Sequence, residues 1–383
     1  MTAWRLQQQP DSFTLSDLGG EQVLSFDREG RLLTWYDRGR YDRGRYDRGT
    51  TYKRALNSRL LARRREGEVR LRWDVPAGEV PLVFGRMLEQ VRDAARDIRS
   101  PLVEKVLEWT PEKLLAERDR FAAAYAPVSI LPPDQYFAVV VQATRGCSWN
   151  KCTFCTFYRD RAFTVPPPVA FAAHLNAVKD LLGEAASLRK SIFVADGNAL
   201  MLANQKLLPL LEMARQVFPG RDLHGFLDVN TGVRKSVLDW QELHAAGVRR
   251  VYLGLETGHD PLLAWLNKPG SADRAVELVS DLKAAGLSVG PIFMTGVGGQ
   301  KYAAQHVQDT LKLLERLPLG QGDIVYLSPF VEHGPYAGRA KQDGVLPLPP
   351  PEVMEQERIF RQALKTTHPQ AKVARYDILE FLY

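Results

Sequence analysis

Cysteine is nearly absent from this sequence: 383 residues hold three, and all fall within TRGCSWNKCTFCTFY, at Cys147, Cys152 and Cys155. So few, in an odd number, exclude a disulfide framework, because three thiols cannot all pair within the chain. Long apolar runs are missing too. No stretch approaches the roughly 18 apolar residues that a bilayer-spanning helix needs, and the opening MTAWRLQQQPDSF has neither the basic start nor the apolar core of a secretory signal. The expectation is a cytoplasmic protein with no membrane partner, whose cysteines serve metal or redox chemistry in a reducing compartment. Charge of one sign is not in great excess either. The formal net charge of +6 does not by itself imply a nucleic acid partner. What is present is an ordinary globular composition, 45% hydrophobic and 25% charged, on a chain long enough for one large domain with additions.

From about Asp134 to Pro329 the sequence alternates between β and helical patterns. The strands are read at YFAVVVQAT (Tyr136 to Thr144), SIFVA (Ser191 to Ala195), LHGFLDV, RRVYLGLE (Arg249 to Glu256), LSVGPIFMTG and DIVYLSPF. Helical apolar spacing fills the intervals, in VAFAAHLNAVKDLLGEA, NQKLLPLLEMARQVF, SVLDWQELHAAG, SADRAVELVSDLKAAG and AAQHVQDTLKLLERL. Six strands joined by five helices suit a parallel sheet with right-handed crossovers, and a partial (β/α)6 TIM-like barrel is the natural closure. Its working face lies at the strand C-termini. The unusual polar or glycine-rich stretches all sit there: RGCSWNKCTFC, DGNAL, VNTGVR, ETG and TGVGGQ follow the first five strands in turn.

The first 130 residues differ and read as an α+β accessory region. LSFDREGRLLTWY has the pattern of a hairpin, and the tandem repeat YDRGR-YDRGR-YDRG follows from Tyr36 to Gly49. Between Arg38 and Arg72 stand 13 Lys or Arg against 4 Asp or Glu, a net +9. Arginine and tyrosine interleaved in this way can pair with phosphates and stack on bases. Charge runs are as a rule solvated faces, so the first reading of the stretch is a short duplicated, solvated loop beside a basic strand. Residues 331–383, with LPLPPP and a terminal YDILEFLY, read as a C-terminal cap on a barrel of residues 131–330.

Three thiolates on one loop can hold zinc or an iron-sulfur cluster. Structural zinc wants a fourth ligand, and the nearest downstream histidine, His174, lies inside the next helical pattern. A [4Fe-4S] cluster on three cysteines keeps one iron open, which suits a catalyst.

The cysteine loop and the stretches after it resemble the radical S-adenosylmethionine superfamily, whose mark is CxxxCxxC after the first strand of a partial barrel. Within it the likeness is to the branch of oxygen-independent coproporphyrinogen oxidase and the elongator-type enzymes. The resemblance implies a [4Fe-4S] cluster on Cys147, Cys152 and Cys155, and S-adenosylmethionine chelated at the open iron. It places Phe154 near the adenine. It puts Asp196, Gly197 and Asn198 of ADGNAL at the methionine amino group, Glu256 of LGLETG facing the cofactor, Gly296 in the fifth-strand glycine motif, where the backbone can approach a ligand closely, and Ser328 in the sixth-strand segment whose backbone meets the adenine. Asn230 and Arg234 are candidates for the ribose or the carboxylate, and equally for capping the next helix. LNKPG stands where family members often read Kg. His259, His306 and His333 have no partner visible in the sequence and read as structural or exposed. Two departures stand out: the first spacing is CxxxxC, one residue longer than usual, and Phe157 occupies a position where coproporphyrinogen oxidase-like enzymes carry a further cysteine.

The resemblance implies an oxidoreductase or transferase that cleaves S-adenosylmethionine to a 5′-deoxyadenosyl radical and abstracts hydrogen from a substrate. It also implies an electron donor such as flavodoxin or ferredoxin. A small-molecule substrate is the first expectation. The alternatives are an RNA brought by the arginine-rich stretch, and a zinc-stabilised binding protein without catalysis.

Overall fold

The computed structural model describes residues 3–38, 49–67 and 69–383. Most of the YDRGR repeat, residues 39–48, lies outside the described residues. The chain divides into two compact units. One comprises Met1–Pro127, Asn176–Lys190 and Leu382–Tyr383; the other comprises Val128–Leu175 and Ser191–Phe381.

The first unit is built on a seven-stranded antiparallel meander in sequence order. Its strands are β1 (Trp4–Gln8), β2 (Ser12–Asp17), β3 (Gln22–Asp27), β4 (Leu32–Asp37), β5 (Thr50–Arg54), β6 (Leu60–Glu66) and β7 (Val69–Asp74). The hairpin read at LSFDREGRLLTWY is β3–β4. Alternation puts Phe13, Leu15, Leu24, Phe26, Trp35 and Leu60 on one face, where they bury against Phe84, Met87, Leu88 and Val91 of the helix Val80–Asp97. Beneath the β3–β4 turn, buried Arg31 is matched by Asp27 and Glu117, each at 2.9 Å, and donates to the Leu181 and Leu182 carbonyls at 2.8 Å. A buried charge survives only when its donors are satisfied in this way.

The second unit is a parallel sheet of seven strands, also in sequence order. They are β8 (Val139–Gln142), β9 (Ser191–Ala195), β10 (Asp222–Leu227), β11 (Val248–Glu256), β12 (Ser288–Thr295), β13 (Ile324–Pro329) and β14 (Lys372–Arg375). The six strands read from sequence are all present, the first shorter than expected. A seventh, β14, pairs with β13, so the residues read as a cap also extend the sheet. β8 and β14 are its edges, and the sheet is open between them.

Side chains from non-adjacent strands nevertheless meet on one face. Tyr252 of β11 and Tyr326 of β13 both donate to Asp134, at 2.6 Å each, and Arg250 of β11 adds a bond at 2.8 Å. Asp134 lies in the turn before β8. Gly290 on the intervening β12 is required, because a Cβ there would collide with the Tyr252 ring. The Tyr376 hydroxyl donates to the Leu131 carbonyl at 2.6 Å, tying the residue after β14 to the chain that leads into β8.

Candidate functional site

β8 ends at Gln142 and the chain turns at once into the cysteine stretch. Asp196, the first residue after β9, holds that turn. Its carboxylate accepts from the Gln142 amide at 3.0 Å and from the Gly146 N–H at 2.8 Å, and its own N–H donates to Thr144 Oγ1 at 3.2 Å. Burial pushes the Asp196 pKa up, against the pull of the Gln142 and Gly146 hydrogen bonds. Gly197 donates to the Gly146 carbonyl at 3.3 Å, and a Cβ on Gly197 would press 2.7 Å from the Tyr158 ring.

Asn198 ties three loops together. Its amide nitrogen donates to Asp228, to Thr231 Oγ1 at 3.0 Å and to Ser148 Oγ at 3.3 Å, and its oxygen accepts from the Asp228 N–H at 3.1 Å. The residues after β9 and β10 thereby reach the residue next to Cys147.

The longer Cys147–Cys152 interval is fastened on both sides. Trp149 Nε1 donates to the Asn267 carbonyl at 2.8 Å, Asn267 Nδ2 returns a bond to the Lys151 carbonyl at 3.0 Å, and the Lys151 ammonium sits 5.3 Å over the Trp149 ring. Asn150 adopts φ +50° and donates its side-chain amide to the Tyr158 carbonyl at 2.8 Å. Thr153 N–H bonds the Leu266 carbonyl at 2.9 Å. Arg159 folds back on the loop, donating to the carbonyls of Cys155 at 3.0 Å and Cys152 at 2.9 Å.

Against the thiols stands a buried ion pair. Glu256 ends β11 with φ +64° after a register shift, and its side chain folds back over Gly254, where a Cβ would collide with it. Lys268 Nζ lies 3.2 Å from Glu256 Oε1 and 5.9 Å over the Phe154 ring. Burial raises the Glu256 pKa against the attraction of Lys268; burial also opposes the Lys268 charge, yet Glu256 and then Cys152 hold its pKa above the ordinary value. Burial pushes the Cys152 thiol up to about 12 and Cys155 up to about 11, with Lys268 pulling both down. A bound cation reverses that balance, since a coordinating thiol is deprotonated outright.

Of the other residues read from sequence, Phe154 packs on a cluster with Trp265, Met294 and Phe330. Ser328 is buried on β13 opposite Met294. Asn230 instead accepts from Arg274 at 2.9 Å, and Arg234 is exposed. The Gly296 N–H is taken by Gln356 at 2.8 Å and the Gly298 N–H by the Tyr336 hydroxyl at 2.9 Å, so this turn packs beneath the C-terminal helices. His306 has partners after all, Thr257 Oγ1 at 2.7 Å and the Met294 carbonyl at 3.0 Å, and His259 meets Asp309 at 2.8 Å.

Sequence reasoning missed Gln142, Asp228 and Asn267. Lys268 stood inside the quoted LNKPG without being named.

Residues 141–314 match the family model of the radical SAM superfamily. This segment is a radical SAM domain. A [4Fe-4S] cluster and S-adenosylmethionine are the cofactors of such a domain, and the chain's donor set fits them: three thiols on one stapled loop, with a carboxylate and an ammonium beside them. Among the described residues no three His, Cys, Asp or Glu side chains are grouped around one ion position.

No curated protein matches the chain. Among solved structures, the coproporphyrinogen III oxidase of Escherichia coli overlaps it at 15% identity and a TM-score of 0.43, over 58% of this chain and 51% of that one. Methylornithine synthase overlaps at 14% and 0.44, over 61% and 63%. Methanocaldococcus infernus Elp3 overlaps at 13% and 0.42, over 53% and 51%. The chain thus spans between 51% and 63% of the length of these structures. No helix among the described residues is long and apolar enough to cross a membrane.

Proposed function

We propose that this chain is a radical SAM enzyme that abstracts hydrogen from a small molecule at the mouth of a partial barrel. In this reading Cys147, Cys152 and Cys155 hold a [4Fe-4S] cluster and S-adenosylmethionine binds its open iron. Together these cofactors supply a 5′-deoxyadenosyl radical once an external donor, such as a flavodoxin or ferredoxin, has delivered one electron.

The chain's own residues position and shield. Asp196, through Gln142 and Gly146, fixes the turn from which Cys147 projects, and Gly197 and Asn198 bind the loops around it; these are positioning residues. Glu256, Lys268 and Phe154 form the wall that meets the cofactor, and Ser328 lies in the strand segment that faces the nucleoside. Asn230 bonds Arg274, the Gly296 N–H bonds Gln356 and Arg234 is exposed, so this reading gives none of the three a cofactor role. The meeting of β11 and β13 tyrosines at Asp134 supports a curled sheet, hence a partial barrel, and Phe193, Phe226 and Tyr252, with ring centres 5.0 to 6.1 Å apart, fill its interior and keep water out.

The observation that carries this reading is the chain's entire cysteine content on one loop, fastened beside a buried Glu256–Lys268 pair. Anaerobic reconstitution with iron and sulfide tests it. The wild type is expected to gain a brown [4Fe-4S] chromophore and to form 5′-deoxyadenosine, and Cys147→Ala to lose at least 100-fold of that product. Equal product from both, or zinc uptake with no chromophore, overturns it.

A further inference from the structure

The C-terminal part of the second unit encloses a cavity of about 120 Å³, lined among others by Phe330, Glu332, Tyr336, Leu346, Leu348 and Val353. Three pieces of chain form it: the segment between β13 and the helix Gly334–Gln342, the loop after that helix, and the first turn of the helix Pro350–Thr367. The loop carries LPLPPP, residues 346–351. It is fastened from outside the cavity. The Gln300 N–H donates to the Leu346 carbonyl at 2.9 Å, Gln300 Nε2 to the Pro347 carbonyl at 3.2 Å, and the Val345 N–H to the Ala340 carbonyl at 2.8 Å. Prolines 347, 349, 350 and 351 fix φ along the same stretch, so the wall resists collapse. A cavity with fastened, stiff walls is preformed, as small-molecule sites as a rule are.

The lining combines apolar side chains, two aromatic rings and one charge. Leu348 is buried, and the Phe330 and Tyr336 rings meet with centres 4.4 Å apart. Glu332 stands exposed at the rim and forms no ion pair among the described residues. The buried Tyr336 hydroxyl accepts the Gly298 N–H at 2.9 Å and has no acceptor for its own proton among the described residues. Burial pushes the Tyr336 pKa up to about 12 against the pull of the Gly298 N–H, and the Glu332 carboxylate adds to the rise, so the two groups are within electrostatic reach of each other.

We propose that this cavity is a binding site for a small molecule that carries a protonated amine on a compact apolar group. Its size limits the apolar group. A cavity of ~150 Å³ takes a benzene ring, so this one holds a group of about one ring and no more. S-adenosylmethionine is far larger than that. The charge sets the polar end: a carboxylate beside two aromatic rings attracts an ammonium, by ion pairing and by the negative ring faces together, and it repels an anion. The site stands on the second unit's own geometry and holds whether or not that unit performs radical chemistry.

The test is a set of ligand-observed NMR titrations of the full chain at low salt and neutral pH with three probes of one shape: benzylammonium, the neutral benzyl alcohol and the anionic benzoate. Benzylammonium is expected to bind saturably and about fivefold tighter than benzyl alcohol, the scale of one exposed ion pair, with benzoate weakest. Glu332→Gln should erase that preference while leaving the affinity for benzyl alcohol within about twofold, because it removes the charge and keeps the shape. Leu348→Phe, which puts a ring into the cavity, should weaken both probes by about tenfold. Should that variant fail to fold, the exposed Glu332→Gln still decides the question. Glu315→Gln, an exposed acid at the far end of the helix Gly299–Arg316, should bind as the wild type does. No saturable binding of benzylammonium, equal affinity for the alcohol, or an unchanged preference in Glu332→Gln would each overturn the proposal. So would displacement of benzylammonium by S-adenosylmethionine from the reconstituted protein, since the cavity would then belong to the cofactor.

Discussion

A buried ammonium has to be matched, and at Lys268 the match is Glu256 at 3.2 Å, with Cys152 near enough to add to it. Removing one partner leaves an uncompensated charge; removing both leaves none. Lys268→Met is therefore expected to cost about 3 to 5 kcal/mol, read as a lowered thermal midpoint of the protein without cofactors, while Lys268→Met with Glu256→Gln regains most of it. A single variant as stable as the wild type would show that the pair does not form. Only half of this pair was legible beforehand. An acid ending an apolar strand is conspicuous, so Glu256 stood out, whereas a lysine in a loop has the chemistry of any surface lysine until its burial is known. Gln142 and Asp228 were invisible for a related reason: their partners, Asp196 and Asn198, are 54 and 30 residues away, and no local pattern records such a bond.

At the scale of the element, the extra residue in the cysteine loop acquires a physical account. The sequence showed one residue too many between Cys147 and Cys152, and the structure spends the added length on fastening. Trp149 and Lys151 exchange bonds with Asn267, which follows the fourth parallel strand, and Asn150 bonds back to Tyr158. A longer loop is thereby held without relying on the cluster. Trp149→Phe keeps the ring and deletes one hydrogen bond of about 1 kcal/mol, so local opening of the loop should become about fivefold more frequent. Hydrogen exchange at the Thr153 N–H, which bonds Leu266 at the same seam, is the readout; unchanged exchange would mean that the loop opens independently of Trp149. The glycine-rich turn after β12 went the other way. TGVGGQ was read as a place for a ligand to approach the backbone, and its glycines do mark a close approach, but by the chain itself: Gly299 has φ +55° and a Cβ there would collide with the Leu346 carbonyl. Glycine signals proximity without naming what comes near.

For the molecule as a whole, the alternation of β and helical periods revealed the parallel sheet because each strand is an apolar run long enough to register, while β14, KVAR, is too short and polar to do so. The meander escaped for a similar reason: its strands are 5 to 7 residues long and half polar, so only the β3–β4 hairpin stood out. One consequence of the folded core bears on the whole second unit. Burial lowers the pKa of both His224 and His306 from 6.5 to about 4, helped at His224 by Arg250 and opposed at His306 by its bond to the Met294 carbonyl. Both rings are neutral when folded, whereas in the unfolded chain each takes up a proton near pH 6.5. The folded pKa is depressed, so the stability each contributes is complete above pH 6.5 and is lost as pH falls towards 4. Between pH 7 and pH 5 the loss should be about 2 kcal/mol per histidine. Asp196 and Glu256, whose pKa values burial raises, act with the opposite sign, so wild-type stability alone does not isolate the histidines. Substitution does. His306→Asn is expected to lower stability at pH 7, because it disturbs the bonds to Thr257 and Met294, yet to lose about 2 kcal/mol less than the wild type on going to pH 5. Urea titrations at the two pH values, with hydrogen exchange of β11 and β12 amides reporting on this unit, measure the difference, and parallel losses in the two proteins would mean that His306 is not held neutral in the folded state.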